Sequence, residues 1–181
     1  MPTTGYLRFP HLHDDLLAFV AHDDVWLAPA DGGRAWRLTY DGGRASHPRF
    51  SPDGAMVAWT SRRDGDPEVY TGTADGGPAT RRTYWGDART RVTGWTDAGE
   101  VLAISAAGQP FDHLTSAYAV PLSDPDRRLP FGQVDDLALT GEATVLLTAQ
   151  RGEPAYWKRY RGGTAGRLWV ASAADPLFTR I

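Results

Sequence analysis

The chain contains no cysteine and only one lysine among its 181 residues. The absence of cysteine excludes disulfide bonds, thiolate zinc sites and cysteine nucleophiles. The N-terminal residues lack the basic segment and following apolar segment of a secretory leader, and no apolar run approaches the length of a membrane span. We therefore expect a cytoplasmic protein with no membrane partner.

The chain also has no excess of positive charge, since its formal net charge is -3 and its pI is about 5.9. One stretch, "YWKRYRGGTAGRLWVA" at residues 156–171, is both basic and aromatic, and it holds the single lysine. Arginines beside aromatic rings can bind single-stranded nucleic acid by stacking. On an acidic chain we expect no nucleic-acid partner. The glycine run lacks the spacing of a phosphate loop, so we interpret the stretch as scaffold.

Glycine and proline are abundant by contrast, at 20 and 13 residues, and they occur in turn motifs that recur along the chain. The motif "ADGG" at residues 30–33 returns at residues 74–77, and "SPDG" at residues 51–54 returns as "TDAG" at residues 96–99. Glycine supplies the positive φ angle that a tight turn between antiparallel strands requires. A period of about 45 residues is typical of propeller blades.

Each repeat contains four short segments with strand character. A strand that ends in a turn comes first, and a nearly continuous apolar strand such as "AMVAWT" at residues 55–60 comes second. The third strand carries a central aromatic residue (Trp26, Tyr70, Tyr118 or Trp169), and the fourth is short and polar. Strands that are apolar on both faces fit a blade, because its neighbours cover both sides. A β-sandwich is the alternative, but it leaves the ordered repetition unexplained.

We therefore predict an all-β protein, a β-propeller of about four blades with four antiparallel strands each. The predicted blades span approximately residues 5–40, 41–84, 85–131 and 132–181. An open arc would leave the outer face of the last blade without a neighbour. We therefore expect the chain to be the N-terminal part of an incomplete ring.

Several stretches resemble a known family. The segments "GYLRFPHLHDDLLAFVAHDDVWLAPADGG" and "HPRFSPDGAMVAWTSRRDGDPEVYTGTADGG" are similar to the WD40-like repeats of TolB-type proteins and several serine peptidases. The segments "RRTYWGDARTRVTGW", "AAGQPFDHLTSAYAVPL" and "YWKRYRGGTAGRLWV" narrow the resemblance to the start of tricorn protease and its bacterial homologues. The resemblance covers essentially the whole chain.

The tricorn resemblance implies a large intracellular serine peptidase that shortens oligopeptides, whose N-terminal propeller has six blades. This chain would be a non-catalytic part of that incomplete six-bladed ring, acting as scaffold and as a channel for peptides or products. The parent is expected to be a homo-oligomer. The alternatives are a TolB-like propeller that binds protein partners and the propeller of a prolyl-oligopeptidase-like hydrolase.

We assign no catalytic residue, cofactor or metal to the chain itself. No G-x-S-x-G elbow occurs, and the neighbours Ser46 and His47 would point to opposite faces of a strand. His11 and His13 lie on one face of a predicted strand, but spacing fixes no third ligand. Asp64-Gly65-Asp66 lacks the ligand spacing of a calcium loop. The doublets Asp14-Asp15, Asp23-Asp24 and Asp135-Asp136 are interpreted as hairpin-turn pairs.

Two arginines are candidate substrate-binding residues. In the tricorn family, a paired-arginine segment that leads into the third blade anchors the carboxylate end of the peptide, and the matching stretch here contains Arg89 and Arg91. A guanidinium group suits that role, because it stays charged and donates two parallel hydrogen bonds to a carboxylate. A threonine separates the two arginines here, so which one corresponds stays open. On a strand the two would share a face; a solvated basic loop is the alternative.

Overall fold

The computed structural model describes residues 6–40, 42–150, 162, 165–172 and 174–181. Every regular element in these residues is a β-strand, and the strands form four separate four-stranded sheets. The all-β prediction of four antiparallel, four-stranded blades is confirmed. The predicted loop in the basic aromatic stretch lies outside the described residues apart from Gly162, and the strand that follows it is present.

We name the sheets blades 1 to 4 in chain order, and each blade is an antiparallel meander of consecutive strands. Blade 1 contains β1 (Arg8–His13), β2 (Leu16–Ala21), β3 (Asp24–Pro29) and β4 (Trp36–Arg37). Blade 2 contains β5 (Ser46–Phe50), β6 (Met56–Ser61), β7 (Glu68–Thr73) and β8 (Thr80–Arg81). Blade 3 contains β9 (Arg91–Trp95), β10 (Val101–Ser105), β11 (Ser116–Val120) and β12 (Arg127–Arg128). Blade 4 contains β13 (Asp136–Leu139), β14 (Ala143–Gln150), β15 (Ala165–Ser172) and β16 (Thr179–Arg180).

The core is divided into layers between successive blades. Val57 and Trp59 of β6 pack toward blade 1, whereas Ala58 of the same strand packs toward blade 3. In blade 3, Leu102 and Ile104 of β10 pack toward blade 4. Successive side chains of a strand point to opposite faces, so an apolar run without alternation fills two layers at once. This packing explains why the second strand of each repeat is apolar throughout.

The first strand of each blade contacts the first strand of the next blade. We call these first strands the inner strands, and two of them, β1 and β5, are irregular. Phe9 in β1 and His47 in β5 both precede a proline and both have a positive φ angle, of 53° and 51°. The pairing register shifts at both places, as in a β-bulge, which redirects side chains. Bulges therefore place side chains of the inner strands where regular alternation would not.

Candidate anion-binding site

A cavity of about 240 Å³ lies between blades 2 and 3 and is lined by four arginines. Arg44 and Arg62 belong to blade 2, and Arg89 and Arg91 belong to blade 3. The other lining residues that the structure describes are Ser46, His47, Thr60, Pro67, Ala88 and Thr90, so none of the described lining side chains is a carboxylate. Four like charges converge on one cavity of a chain whose net charge is -3. Such an arrangement attracts anions.

The loop that carries Arg44 is held by hydrogen bonds to both neighbouring blades. The backbone nitrogen of Arg62 donates to the carbonyl of Gly43 at 2.6 Å, and the nitrogen of Ala45 donates to the carbonyl of Asp23 at 2.8 Å. A side chain at Gly43 would have its Cβ 2.6 Å from the Cβ of Arg63, so only glycine fits there. Arg44 itself has a φ angle of 49°, which a non-glycine residue adopts rarely. The loop thus presents Arg44 in a defined position.

The loop that carries Arg89 is fixed by a partly buried hydrogen-bond network. The Asp87 carboxylate accepts from the Ser105 hydroxyl at 2.8 Å and from the backbone nitrogen of Ala106 at 2.7 Å. The backbone nitrogen of Thr90 donates to the carbonyl of Asp87 at 3.1 Å. One residue before Asp87, the backbone nitrogen of Gly86 donates to the buried Glu68 carboxylate at 2.9 Å. These contacts tie the loop to the ends of β10 and β7.

Arg91 is the first residue of β9, and Arg89 lies in the turn before it. Arg89 therefore has the loop position that was kept as the alternative to a shared strand face, and both arginines line the cavity. One Arg91 nitrogen lies 3.2 Å from a carboxylate oxygen of Asp136 and donates to the backbone carbonyl of Asp135 at 2.6 Å. Asp136 thus partly neutralises Arg91. In the part of the chain that the structure describes, Arg89 has no hydrogen bond or ion pair from its side chain.

His47 lines the same cavity as a neutral ring. Burial, together with the positive charges of Arg91 and Arg49, lowers the pKa of His47 to about 3. Burial also lowers the pKa of Arg49, which lies two residues after His47 on β5. Ser46 and His47 both contribute to the lining, because the bulge interrupts the alternation that was expected to separate them. Among the described contacts, no hydrogen bond joins their side chains.

Sequence reasoning missed Arg44 and Arg62. A signal for Arg44 was available, because Arg44 and Arg89 each stand two residues before the first strand of a blade and are 45 residues apart. That spacing equals the interval between the "SPDG" and "TDAG" turns. Arg62 offered no such signal, because only the packing of blade 2 against blade 3 brings the end of β6 to the cavity.

The other candidate residues have structural contacts. The backbone nitrogen of Phe50 donates to the His11 ring at 3.2 Å, and the His13 ring lies 5.8 Å from the Phe50 ring. Asp64 accepts a hydrogen bond from the Tyr70 hydroxyl at 2.6 Å. Asp24 was interpreted as a turn residue, but it is fully buried at the start of β3 and pairs with Arg37.

The residues that the structure describes contain neither a cluster suited to a metal ion nor a helix suited to span a membrane. No group of three or more histidine, aspartate or glutamate side chains in those residues is arranged so that it could hold a metal ion. No helix in the same residues is long and apolar enough to cross a membrane.

The chain matches known proteins over nearly its whole length. Residues 4–181 match the family model described as the tricorn protease N-terminal beta propeller domain. Tricorn protease homolog 1 of Streptomyces coelicolor is 56% identical over 179 residues, which cover 98% of this chain and 17% of that protein. A Sulfurisphaera tokodaii protein described as a tricorn-like protease N-terminal subunit is 31% identical, over 92% of this chain and 87% of that protein.

A solved structure agrees with the sequence matches. The crystal structure of the tricorn protease superposes on 98% of this chain with a TM-score of 0.84 and 27% sequence identity. The superposed region makes up 18% of the tricorn chain. This chain therefore spans about a sixth of the length of these longer relatives and most of the length of the Sulfurisphaera tokodaii subunit.

Proposed function

Because the chain belongs to the family of tricorn protease N-terminal β-propeller domains, we propose that it is a non-catalytic propeller segment of a cytoplasmic peptidase that degrades oligopeptides. The relatives are tricorn proteases by their names. The lack of cysteine is compatible with a reducing compartment. A peptidase assay on this chain alone should detect no turnover, and clear turnover would contradict the proposal.

The cavity between blades 2 and 3 is proposed to bind the carboxylate end of an oligopeptide. The observation that carries this proposal is the convergence of four arginines on a cavity whose described lining residues include no carboxylate. Guanidinium groups hold a carboxylate with two parallel charge-assisted hydrogen bonds. The volume of about 240 Å³ is below the ~300–1,000 Å³ of sites for drug-sized ligands. The cavity therefore suits one charged end and not a long peptide.

Arg89 and Arg91 have different parts in this proposal. Arg89 is exposed and has no side-chain hydrogen bond or ion pair within the described residues, so its guanidinium is available to a ligand. Arg91 uses one nitrogen for Asp136 and for the carbonyl of Asp135. Those contacts orient Arg91 and leave its remaining N–H groups for the ligand. Arg89 is therefore expected to contribute more of the binding.

The test is a binding measurement on the 181-residue chain with two fluorescent peptides that differ only at the C-terminus. One peptide has a free carboxylate and the other has an amide, and both end in glutamine. We expect tighter binding of the free acid, and we expect Arg89→Gln to weaken that binding about fivefold without affecting the amide. Arg34→Gln, at an exposed position in blade 1, is the control. Equal binding of acid and amide by the unmodified chain would contradict the proposal.

The wider architecture is also a proposal. We propose that the four blades, at approximately residues 5–40, 41–84, 85–131 and 132–181, belong to a six-bladed ring in a homo-oligomeric parent. The ring would act as scaffold and as a channel for peptides or products. This chain covers only 17% of Streptomyces coelicolor homolog 1, which supports a longer parent chain. A structure of a longer chain with five, seven or more blades in this ring would contradict the arrangement.

A further inference from the structure

We propose that the cavity selects peptides whose last residue is acidic, with Arg44 and Arg62 binding the second carboxylate. This inference rests on the proposed function, because it requires the peptide end to enter the cavity. It goes beyond that function by naming the ligand as a dianion and by assigning the blade 2 wall a role in specificity.

The first argument is charge balance. The lining carries four guanidinium groups, and among the described residues only Arg91 has a carboxylate partner, Asp136. A peptide with one terminal carboxylate would neutralise one of the remaining three charges. Like charges that converge without counter-ions repel each other, and a second negative charge on the ligand relieves that repulsion. A dianionic end therefore fits the cavity better than a monoanionic end.

The second argument is the contrast with three other arginines of blades 1 and 2, each of which pairs with a carboxylate. Arg8 pairs with Asp23, Arg37 with Asp24, and Arg81 with Glu68. The fold thus provides a carboxylate for each of these three arginines. Arg44 and Arg62 face the cavity instead, and neither has a side-chain hydrogen bond or ion pair within the described part of the chain.

The third argument is preorganisation. Arg44 keeps a φ angle of 49°, and backbone strain of this kind is found more often at functional sites. Its loop and the end of β6 are joined directly, because the backbone nitrogen of Arg62 donates to Gly43 at 2.6 Å. Across the cavity, the Thr60 hydroxyl accepts a hydrogen bond from the backbone nitrogen of Val92 at 2.9 Å and so joins blade 2 to blade 3. The backbones of the two arginine-bearing walls are therefore joined directly by hydrogen bonds.

The side chains of Arg44, Arg62 and Arg89 are exposed at the cavity mouth. Exposed charge pairs contribute modestly and are screened by salt. We therefore expect the second carboxylate to improve affinity about five- to tenfold in 0.1 M salt, and we expect this advantage to shrink in 0.5 M salt.

The experiment compares four fluorescent peptides on the 181-residue chain. They end in glutamate or glutamine, each as free acid and as amide. We expect the glutamate acid to bind tightest, and we expect Arg44→Gln combined with Arg62→Gln to remove the preference for glutamate over glutamine. The preference for acid over amide should persist in that double variant. Arg34→Gln is again the matched control.

The possible failures are distinguishable. If acid and amide bind equally whatever the last residue, the proposed function fails. If the acid is preferred but glutamate binds no tighter than glutamine, only the present inference fails. Loss of both preferences in the double variant would also overturn it, because Arg44 and Arg62 would then act on the terminal carboxylate. A charge reversal, Arg44→Glu, should make the glutamine acid bind tighter than the glutamate acid, a result that misfolding cannot produce.

Discussion

Blades 1 and 2 each bury a carboxylate at the start of the third strand, whereas blade 3 has a serine at that position. In blade 2, Glu68 is 1% exposed, is 3.1 Å from Arg81, and accepts a hydrogen bond from the Thr83 hydroxyl at 2.5 Å. The same Thr83 hydroxyl accepts from the backbone nitrogen of Val69 at 2.9 Å. Blade 1 repeats this network with Asp24, Arg37 and Thr39.

Blade 3 has no such network. Tyr118 pairs with Arg128 as Tyr70 pairs with Arg81, so Ser116 occupies the position of Glu68 and Pro130 occupies that of Thr83. Phe131 follows where blades 1 and 2 have Tyr40 and Tyr84, and it packs edge-on against Phe178 of blade 4 at 5.9 Å. A buried charge is destabilising unless its counter-charge and its hydrogen-bond partners are all present. Blade 3, without the carboxylate, uses apolar packing at the same edge.

The largest expected effect comes from breaking the blade 2 network at its cation. Arg81→Met leaves the Glu68 carboxylate buried without its counter-charge, so the free energy of unfolding should fall by about 3–5 kcal/mol. Arg128→Met replaces the exposed arginine at the corresponding position of blade 3 and should change the free energy of unfolding by less than about 0.5 kcal/mol. Urea unfolding at pH 7 measures both. Similar losses for the two variants would show that the networks do not distinguish the blades.

A smaller effect is expected at the hydroxyl that connects the carboxylate to the backbone. Thr83→Val keeps the shape but leaves the buried Val69 N–H without an acceptor, which should cost about 1–3 kcal/mol of unfolding free energy. Thr80→Val, at an exposed position in β8, three residues before Thr83, is the control and should cost less than about 0.5 kcal/mol. The comparison uses the same urea titration. A loss at Thr80 as large as that at Thr83 would count against the network.

We expect acidic pH to destabilise blades 1 and 2, because their first strands contain His11 and His47. The first strand of blade 3, β9, contains no histidine. Burial is the main cause that lowers the pKa of His11 to about 4 and of His47 to about 3. The unfolded state, with a pKa near 6.5, therefore binds more protons than the folded state below that pH. The stabilisation is complete above about pH 6.5 and decreases as the pH falls toward the folded-state values.

The corresponding measurement is the urea midpoint at pH 7 and at pH 5. The unmodified chain should lose stability between these values, and the double variant His11→Gln with His47→Gln should lose less. His22→Gln, at an exposed turn, should retain the pH dependence of the unmodified chain. A double variant with the full pH dependence would exclude these two rings as its source.

The smallest expected effect concerns the aromatic residue beside the blade 2 cation. The Arg81 guanidinium lies 4.2 Å from the centre of the Tyr84 ring, which is 77% exposed. Tyr84→Leu should lower the free energy of unfolding by about 0.5–1 kcal/mol, whereas Tyr84→Phe keeps a ring and should change it by only a few tenths. Thermal and urea unfolding together resolve the difference. A phenylalanine variant as unstable as the leucine variant would assign the effect to the hydroxyl.

Much of the fold could be predicted from the sequence, because the turn motifs and the apolar strands repeat in order. The buried carboxylates could not be predicted in the same way. Asp24 follows Asp23 in a hairpin, and local sequence suggests a solvated turn. Its burial becomes evident only when Thr39 and Arg37, more than ten residues later, are placed beside it.

The candidate site was predicted in part. Arg89 and Arg91 were singled out through family resemblance, and both line the cavity; of the two positions left open for Arg89, the structure has the loop. The arginine-rich blade 2 wall was not found, because Arg44 and Arg62 lie 18 residues apart and belong to a different repeat from Arg89. No local pattern connects residues whose proximity depends on how two blades pack.

By itself, the sequence determined the repeating unit and the strand order within each sheet, since turn chemistry and apolar runs act over a few neighbouring residues. The tertiary structure alone decided which charges are buried with partners and which converge on the cavity without them. The physical reason is that electrostatic energy depends on distance and solvent exposure. In this chain both quantities are set by the packing of one blade against the next.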